Sequence, residues 1–415
     1  MFDRPATRLE ADHIADAFQP RMGRRYANGR NTDRGAGAHR DVSTLSPYLR
    51  RRLITEPAVI ARALAAHGPD RAEKFIQEVV WRSYFKGWLE RRPETWLAYR
   101  TGLQADLEAL DRDRGLRRAV SAAEDGQTRL DCMDAWAQEL VATGYLHNHA
   151  RMWFASIWIF TLELPWRLGA DFFLRHLLDG DPASNTLGWR WVAGLHTRGR
   201  PYEASARNIA QYTDGRFQPR PADIAAGVRA LSDFEEPGGL PELRAVRTPA
   251  PPLPDVPTAL LITEDDCRPD DFDLAALDIR GVATLAGSHL RSPRAVADGV
   301  AEFEARALAD AAAHVPGDVP VQHLKAGVPG DLARWAASLG ARQIATPFVP
   351  VGPLRDWLDE AMPALEAGGI ALVEWQRGWD RQLWPLATAG FFKVKKQIPR
   401  LLQVAGLGAD AVEPI

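Results

Sequence analysis

Residues 144–194 read GYLHNHARMWFASIWIFTLELPWRLGADFFLRHLLDGDPASNTLGWRWVAG. The stretch is apolar, yet it carries a polar cluster (His147, Asn148, Arg151), an acidic turn (Asp179, Asp181) and a lone amide (Asn185). Trp166, Trp189 and Trp191 stand among them. Buried polar groups need partners, and buried charges need them more. Helices this apolar tolerate Arg151, Asp179 and Asp181 only if something polar sits among them. A bulky, aromatic, hydrogen-bonding ligand meets that requirement.

Working outward, 415 residues make room for two or three domains. Hydrophobic content of 46% and charged content of 25% describe an ordinary globular protein. A net charge of -3 gives no global pull toward nucleic acid, so any such binding must come from a local patch. Cys132 and Cys267 lie far apart and exclude a disulfide scaffold, a zinc module and a four-cysteine iron–sulfur cluster. No apolar run reaches membrane-spanning length, and the start, MFDRPATRLEAD, lacks the apolar region of a signal peptide. A cytoplasmic location is expected. Nine of the fourteen tryptophans fall between Trp81 and Trp191, and core filling is their plain reading.

The chain divides into an all-helical half, residues 1–235, and a doubly wound parallel α/β half, residues 258–415. In the first, Phe75, Val79 and Phe85 recur at helical spacing, as do Leu130, Met133, Trp136, Leu140 and Val141. Residues 29–41 have loop composition, and Ser43, Thr44, Leu45, Ser46 and Pro47 place hydroxyls and a proline at a helix start. Residues 236–257 are dense in proline and predict a stiff, extended linker rather than a packed element. Beyond it, apolar strand candidates at 258–263, 281–286, 321–325, 343–348 and 370–375 alternate with helical stretches at 293–314, 331–339 and 354–367. Such alternation implies a parallel sheet with right-handed crossovers. No glycine-rich dinucleotide fingerprint and no Walker lysine follow the first strand, which leaves the usual nucleotide site unsupported.

The 144–194 stretch resembles the flavin-binding core of the DNA photolyase/cryptochrome family, whose signature runs roughly GW-MHNR-RM, a DW step, then DGD-A-N--GW-W. The resemblance implies FAD. Ser43, Leu45, Ser46, Pro47, Tyr48 and Leu49 match the family's phosphate-cradling TS-LSPYL step, with Val42 in place of a usual threonine and Thr44 adding a hydroxyl at its variable position. Arg82, in VVWRSYF, matches an arginine that reaches the phosphates. Asn148, Arg151, Asp179, Asp181 and Asn185 correspond to the residues around the isoalloxazine ring, with Asn185 facing N5. Alone, the Asp179-Gly180-Asp181 step reads as a turn.

The resemblance also implies a substrate pocket for two unstacked pyrimidines. It is formed by Glu78, Trp81, Asn148, Met152 and Trp191, with Trp81 and Trp191 stacking on bases and Glu78 hydrogen-bonding. The His147-Asn148 step points to cyclobutane dimers, since 6-4 photoproduct repair uses a His-His pair there. Trp189 and Trp166 match the first two stations of an electron relay. The third lies where this chain has no tryptophan, leaving Trp136, Trp153, Trp158 or Tyr145 to end it. Catalytic roles thus fall to Trp189, Trp166, Glu78 and Asn185. His149 and Arg190 depart from the pattern, and residues 195–217 replace the family's run that faces the adenine and the DNA. His147 and His149, at i and i+2, point apart on a helix, so no metal is expected.

The α/β half resembles the family's antenna domain, which in the family precedes the helical one. The chain is therefore expected to be circularly permuted, with or without an antenna chromophore. The expected activity is FAD-dependent, light-driven repair of cyclobutane pyrimidine dimers in damaged DNA, by a monomer. The alternative is a cryptochrome-like blue-light sensor that does not repair. Arg21, Arg24, Arg25, Arg30, Arg34 and Arg40 serve equally as phosphate contacts or as a solvated basic loop.

Overall fold

The structure, a computed structural model, describes residues 5–317 and 319–408. The ends of both expected domains, residues 1–4 and 409–415, lie outside the described residues. The first half is helical: α1 (Arg8–Phe18), α2 (Arg24–Gly29), α3 (Ser46–Arg50), α4 (Glu56–Glu90), α5 (Glu94–Arg112), α6 (Arg114–Glu124), α7 (Asp131–Thr143), α8 (Asn148–Ser156), α9 (Trp166–His176), α10 (Pro182–Val192), α11 (Ala206–Tyr212) and α12 (Ser232–Glu235). α4 breaks at Gly68, whose φ of 69° is easy for glycine, and Pro69 then starts a second limb. Val141, expected on the apolar face of α7, is half exposed instead; Cys132, Met133, Trp136, Ala137 and Leu140 form that face.

The second half carries β1 (Pro257–Thr263), β2 (Asp278–Ala286), β3 (Val321–Lys325), β4 (Gln343–Pro347) and β5 (Ala371–Trp375). Its helices are α13 (Asp298–Ala313), α14 (Gly330–Ser338), α15 (Pro353–Ala367), α16 (Gly378–Leu383), α17 (Phe392–Lys395) and α18 (Ile398–Val404). All four strand pairings are parallel, in the order β3-β2-β1-β4-β5. The expected strands and crossover helices are all present, with ends shifted by a few residues. No helix among the described residues is long and apolar enough to cross a membrane.

Alternation along β1 decides what each sheet face covers. Ala259 and Leu261 point into a core with Leu332, Trp335, Leu358 and Leu365 of α14 and α15. Leu260 and Ile262 point the other way, into a core continuous with Phe303 of α13 and with the tryptophans of the helical half. The two halves therefore share one hydrophobic core.

The proline-dense stretch holds no helix or strand from residue 236 to 256, as its composition predicts. It does not hang free, however. Arg244 donates its backbone N–H to the Arg91 carbonyl and pairs with Glu94. Arg247 pairs with Glu374 and lies over the Phe348 ring, and Leu253 exchanges hydrogen bonds with Gln343. The stretch is an extended strap. Proline spacing reveals the extension, but not the arginines that anchor it.

Candidate functional site

α10 packs against both α4 and α8. Asp181 begins it: its Oδ1 accepts the Ser184 N–H at 2.8 Å, and Pro182 occupies the first turn, where its missing N–H costs nothing. One face of α10 then runs Ser184, Gly188 and Trp191. All three are half exposed, although the rest of the helix is buried, and a Cβ built on Gly188 would meet nothing within 4 Å. The neighbouring elements also offer half-exposed residues. These are Glu78, Trp81 and Arg82 on α4, Arg151 and Met152 on α8, and Ser43, Thr44 and Ser46 before and at the start of α3; Asn148 is exposed. Thr44 has φ 55°, a left-handed conformation that costs a non-glycine residue on the order of 1 kcal/mol.

The charges converge on Asp179. Arg151 Nη2 donates to its Oδ2 at 3.0 Å, and Arg151 Nε donates to the Leu146 carbonyl. Burial alone would raise the Asp179 carboxyl, but the charges of Arg151 and Arg82 and hydrogen bonds from Ser46 and Arg151 outweigh it and hold the group below its ordinary range. Four elements thus meet at one carboxylate: the 43–46 loop, α4, α8 and the turn before α10.

Arg82 supplies the sharpest feature. Among the described residues it makes no hydrogen bond and no ion pair, and its Nη2 is buried without a partner. A buried N–H donor left this way costs free energy unless an acceptor meets it. The Ser184 hydroxyl is likewise buried and unpartnered. Asn185 gives its Nδ2 to the Ala170 carbonyl at 2.9 Å, which orients the amide and leaves Oδ1, an acceptor, uncommitted. Together these groups suit an anionic ligand with hydrogen-bonding edges, which is what FAD is.

Other expected residues sit differently. Asp181 is fully buried, with Lys86 Nζ at 2.6 Å and Arg50 Nε at 3.7 Å. Burial opposes its charge, yet Lys86, Arg50 and Arg82 hold the carboxyl far below its ordinary range. Lys86 and Arg50 were not legible as site residues; the Arg50-Arg51-Arg52 triplet was the available signal. The Leu45 side chain is core, so only its backbone faces the loop. Glu78 lies 3.7 Å from Arg30, and burial raises its carboxyl.

Trp81 stacks on Phe391 at 3.8 Å between centroids, and Trp191 stacks on Tyr202 at 5.4 Å. His147 caps α8 through Nδ1, and His149 stacks on Trp153 and reaches the Asn31 carbonyl. Asp33, His39 and Glu139 bring one metal-ligand type atom each within 4.8 Å of one another, but Asp33 is held by Trp136 and Arg216, and His39 by Glu139.

The tryptophan candidates separate. Trp189 meets Trp158 edge-on at 6.2 Å, and both pack on Gly169, where any Cβ would collide with Trp189 at 2.3 Å. Trp166 lies against Tyr99 at 5.8 Å, and Tyr99 against Trp96 at 5.3 Å. Trp136 and Trp153 stack on each other, and Tyr145 lies against His39. Of the basic stretch near the amino terminus, Arg34 is bound to Asp41 and Asp214, while Arg24, Arg25 and Arg40 are exposed.

A helical domain with charged and hydroxyl side chains gathered at a buried carboxylate is the class that this fold and site define. Residues 75–219 match the family described as the FAD binding domain of DNA photolyase. Deoxyribodipyrimidine photo-lyase of Streptomyces griseus is 36% identical over 161 residues, which is 39% of this chain and 34% of that protein. An enzyme of the same name from Thermus thermophilus is 36% identical over 180 residues, covering 43% of this chain and 40% of that one. A class III photolyase structure from Agrobacterium tumefaciens aligns at 26% identity with a TM-score of 0.39, over 51% of this chain and 42% of that one. Through its helical half the chain is similar to DNA photolyases. It spans roughly a third to two fifths of the length of the photo-lyases it matches.

Proposed function

We propose that the protein binds FAD at the Asp179 cluster and uses it for light-driven splitting of cyclobutane pyrimidine dimers in DNA. The observation that carries this reading is the buried Arg82 Nη2, without a hydrogen-bond partner beside the Arg151–Asp179 pair. In this reading Arg82 and the hydroxyls of Ser43, Thr44 and Ser46 hold the phosphates. Arg151 and Asp179 form a fixed ion pair beside the ring, and Asn185 offers its Oδ1 as an acceptor. When bound, the flavin supplies light absorption and a one-electron donor. Asp181, locked by Lys86 and Arg50, keeps the start of α10 in place. Glu78, Trp81, Asn148, Met152 and Trp191 receive the lesion, with Glu78 keeping its proton more readily than a solvated carboxyl. Flipping a damaged step out of the duplex is cheaper than flipping a sound one.

The reading extends to the α/β half, taken as the family's antenna-type domain in permuted order; its five-stranded parallel sheet supports this. It also takes the protein to be a cytoplasmic monomer. The alternative, a blue-light sensor without repair, draws support from the stacking partners Phe391 and Tyr202, which cover one side of each substrate-side tryptophan.

The test is an absorbance spectrum of the purified protein, then illumination with a dimer-containing oligonucleotide. Flavin near one per chain and light-dependent recovery of thymines are expected. A flavin-loaded, reduced protein that restores no thymines moves the assignment to the sensor. A colourless protein that cannot be reconstituted with FAD ends both readings.

A further inference from the structure

The end of the chain runs back along α4. Arg91 and Arg92 donate to the carbonyls of Pro385 and Thr388, the Tyr84 hydroxyl donates to the Ala389 carbonyl, Phe391 stacks on Trp81, and Lys395 pairs with Glu73. As the segment advances from 385 to 395, its partners retreat from 92 to 73, so it lies antiparallel to α4. Its apolar residues Phe391, Val394, Ile398, Leu401 and Leu402 are buried against the protein.

The outward side has a different composition. Phe392 is 75% exposed, and Lys393, Lys396, Pro399 and Arg400 are exposed around it. Among the described residues Lys393, Lys396 and Arg400 have no ion-pair partner. From residue 381 to 409 the sequence holds Arg381, Lys393, Lys395, Lys396 and Arg400 and not one Asp or Glu, in a chain whose net charge is -3. A large aromatic costs free energy when left in water, and unpaired cations concentrated around it define what would cover it.

We propose that the outward face of residues 392–400 binds a single-stranded segment of nucleic acid, with Phe392 stacking on a base and Lys393, Lys396 and Arg400 on phosphates. An aromatic platform among cations is what a strand without sequence preference requires. A membrane surface fits less well, because the apolar residues of α17 and α18 are already spent inside the protein and Phe392 alone offers little area for insertion. The surface adjoins Trp81 through the Phe391–Trp81 stack, so a strand held there passes beside the residue assigned to the lesion. Only that last placement rests on the proposed repair function.

The experiment is fluorescence anisotropy of a fluorescein-labelled oligothymidylate with the full chain, in the dark, at salt between about 50 and 200 mM. Wild type is expected to bind with a log–log salt slope near -2, about 0.7 per phosphate contact for three contacts. Phe392→Ala is expected to weaken binding roughly tenfold or more. The triple variant Lys393→Gln, Lys396→Gln, Arg400→Gln is expected to flatten the slope. Because these side chains are exposed, melting temperature and flavin absorbance should stay at wild-type values, which separates lost binding from lost fold. Variants that bind like wild type overturn the proposal. So does a wild type that ignores the oligonucleotide but binds phosphatidylserine-rich vesicles. Dark binding that depends on these residues, in a protein that repairs nothing under light, keeps this surface and removes the repair reading. Light-driven repair with variants that bind normally does the reverse.

Discussion

Asp179→Asn isolates the charge at the centre of the site while keeping its shape. The carboxylate is almost fully buried and accepts Arg151 Nη2 at 3.0 Å; the Arg151 side chain is 23% exposed. Removing one partner of a buried pair costs about 3–5 kcal/mol, chiefly because the other charge stays buried and unpaired. Water reaches part of Arg151 and recovers some of this, so about 2–3 kcal/mol is expected. Arg82, whose charge acts on Asp179 as well as on Asp181, adds to the uncompensated positive charge. If the loss falls on the flavin complex, 2–3 kcal/mol corresponds to a dissociation constant roughly 30- to 150-fold weaker.

The assay measures flavin per chain after gel filtration, flavin affinity by fluorescence quenching, and the melting temperature of the flavin-free protein. Asp106→Asn serves as the control. It breaks a comparable pair with Arg167 at 2.7 Å, between α5 and α9, and should lower stability without touching flavin affinity. If Asp179→Asn keeps wild-type flavin affinity, the cluster is structural and the assignment of the cofactor site is refuted.

Arg82→Ala should weaken flavin binding while lowering the stability of the flavin-free protein only slightly, because Arg82 makes no hydrogen bond there yet its charge helps to keep Asp179 and Asp181 ionised; wild-type flavin affinity would refute that account. Trp189→Phe should strongly slow light-driven flavin reduction while leaving repair by chemically reduced protein intact, and a wild-type photoreduction rate would show that electrons enter elsewhere. Glu90 provides a pH test. Burial, only partly offset by the Val351 N–H and the charges of Arg247 and Lys86, raises its carboxyl to about 7. The unfolded chain therefore loses this proton first, and stability should fall between about pH 4.5 and 7, by up to about 3 kcal/mol from this group. Glu90→Gln should be more stable than wild type at pH 8 and equal to it near pH 4 in urea titrations; equal midpoints at pH 8 would count against it.

The architecture was legible wherever a pattern is local. The short apolar strand runs, the helical stretches between them and the Ser46-Pro47 helix start each need only a few adjacent residues to declare themselves, whereas Asp181 read as part of a turn and is a helix cap. Arg151 and Asp179 stood out because they are wrong for their apolar surroundings, which calls for something polar nearby; that they meet each other is visible only in the fold. What escaped were contacts across sequence distance. Nothing local tells that Phe391 covers Trp81, that Lys86 and Arg50 hold Asp181, or that Trp189 meets Trp158, where the resemblance implies Trp166 as the next station. The proline-rich stretch shows the same limit. Its stiffness is a local property, whereas its anchoring by Arg244 and Arg247 depends on Glu94 and Glu374 far away in the chain.

The most consequential of these distant contacts lies between the halves. In open α/β sheets, ligands bind outside the carboxyl ends of the strands where the strand order reverses. Here that place is between β1 and β4, and β1 runs out into Glu264, Asp265 and Asp266. The helical half fills it. Arg50 reaches Asp265 at 2.8 Å, Arg51 reaches Glu264 at 3.0 Å and Arg52 reaches Asp266 at 3.2 Å, and Arg291 and Arg377 pair with the same acids. Burial opposes the charge on Glu264, yet Arg291, Arg51 and Arg50 hold its carboxyl down at about 2. Between Arg50, Lys86, Pro182 and the 350–354 loop, a cavity of only about 10 Å³ is left. The crevice where a doubly wound domain would hold a chromophore has therefore become the joint between the halves. Arg50 spans that joint, with Asp265 on one side and Asp181, the first residue of the α10 cap, on the other. The α/β half thus bears on the proposed flavin site through buried guanidinium groups, Arg50 together with Arg51 and Arg291, the latter two donating to the Leu178 and Leu177 carbonyls just before Asp179.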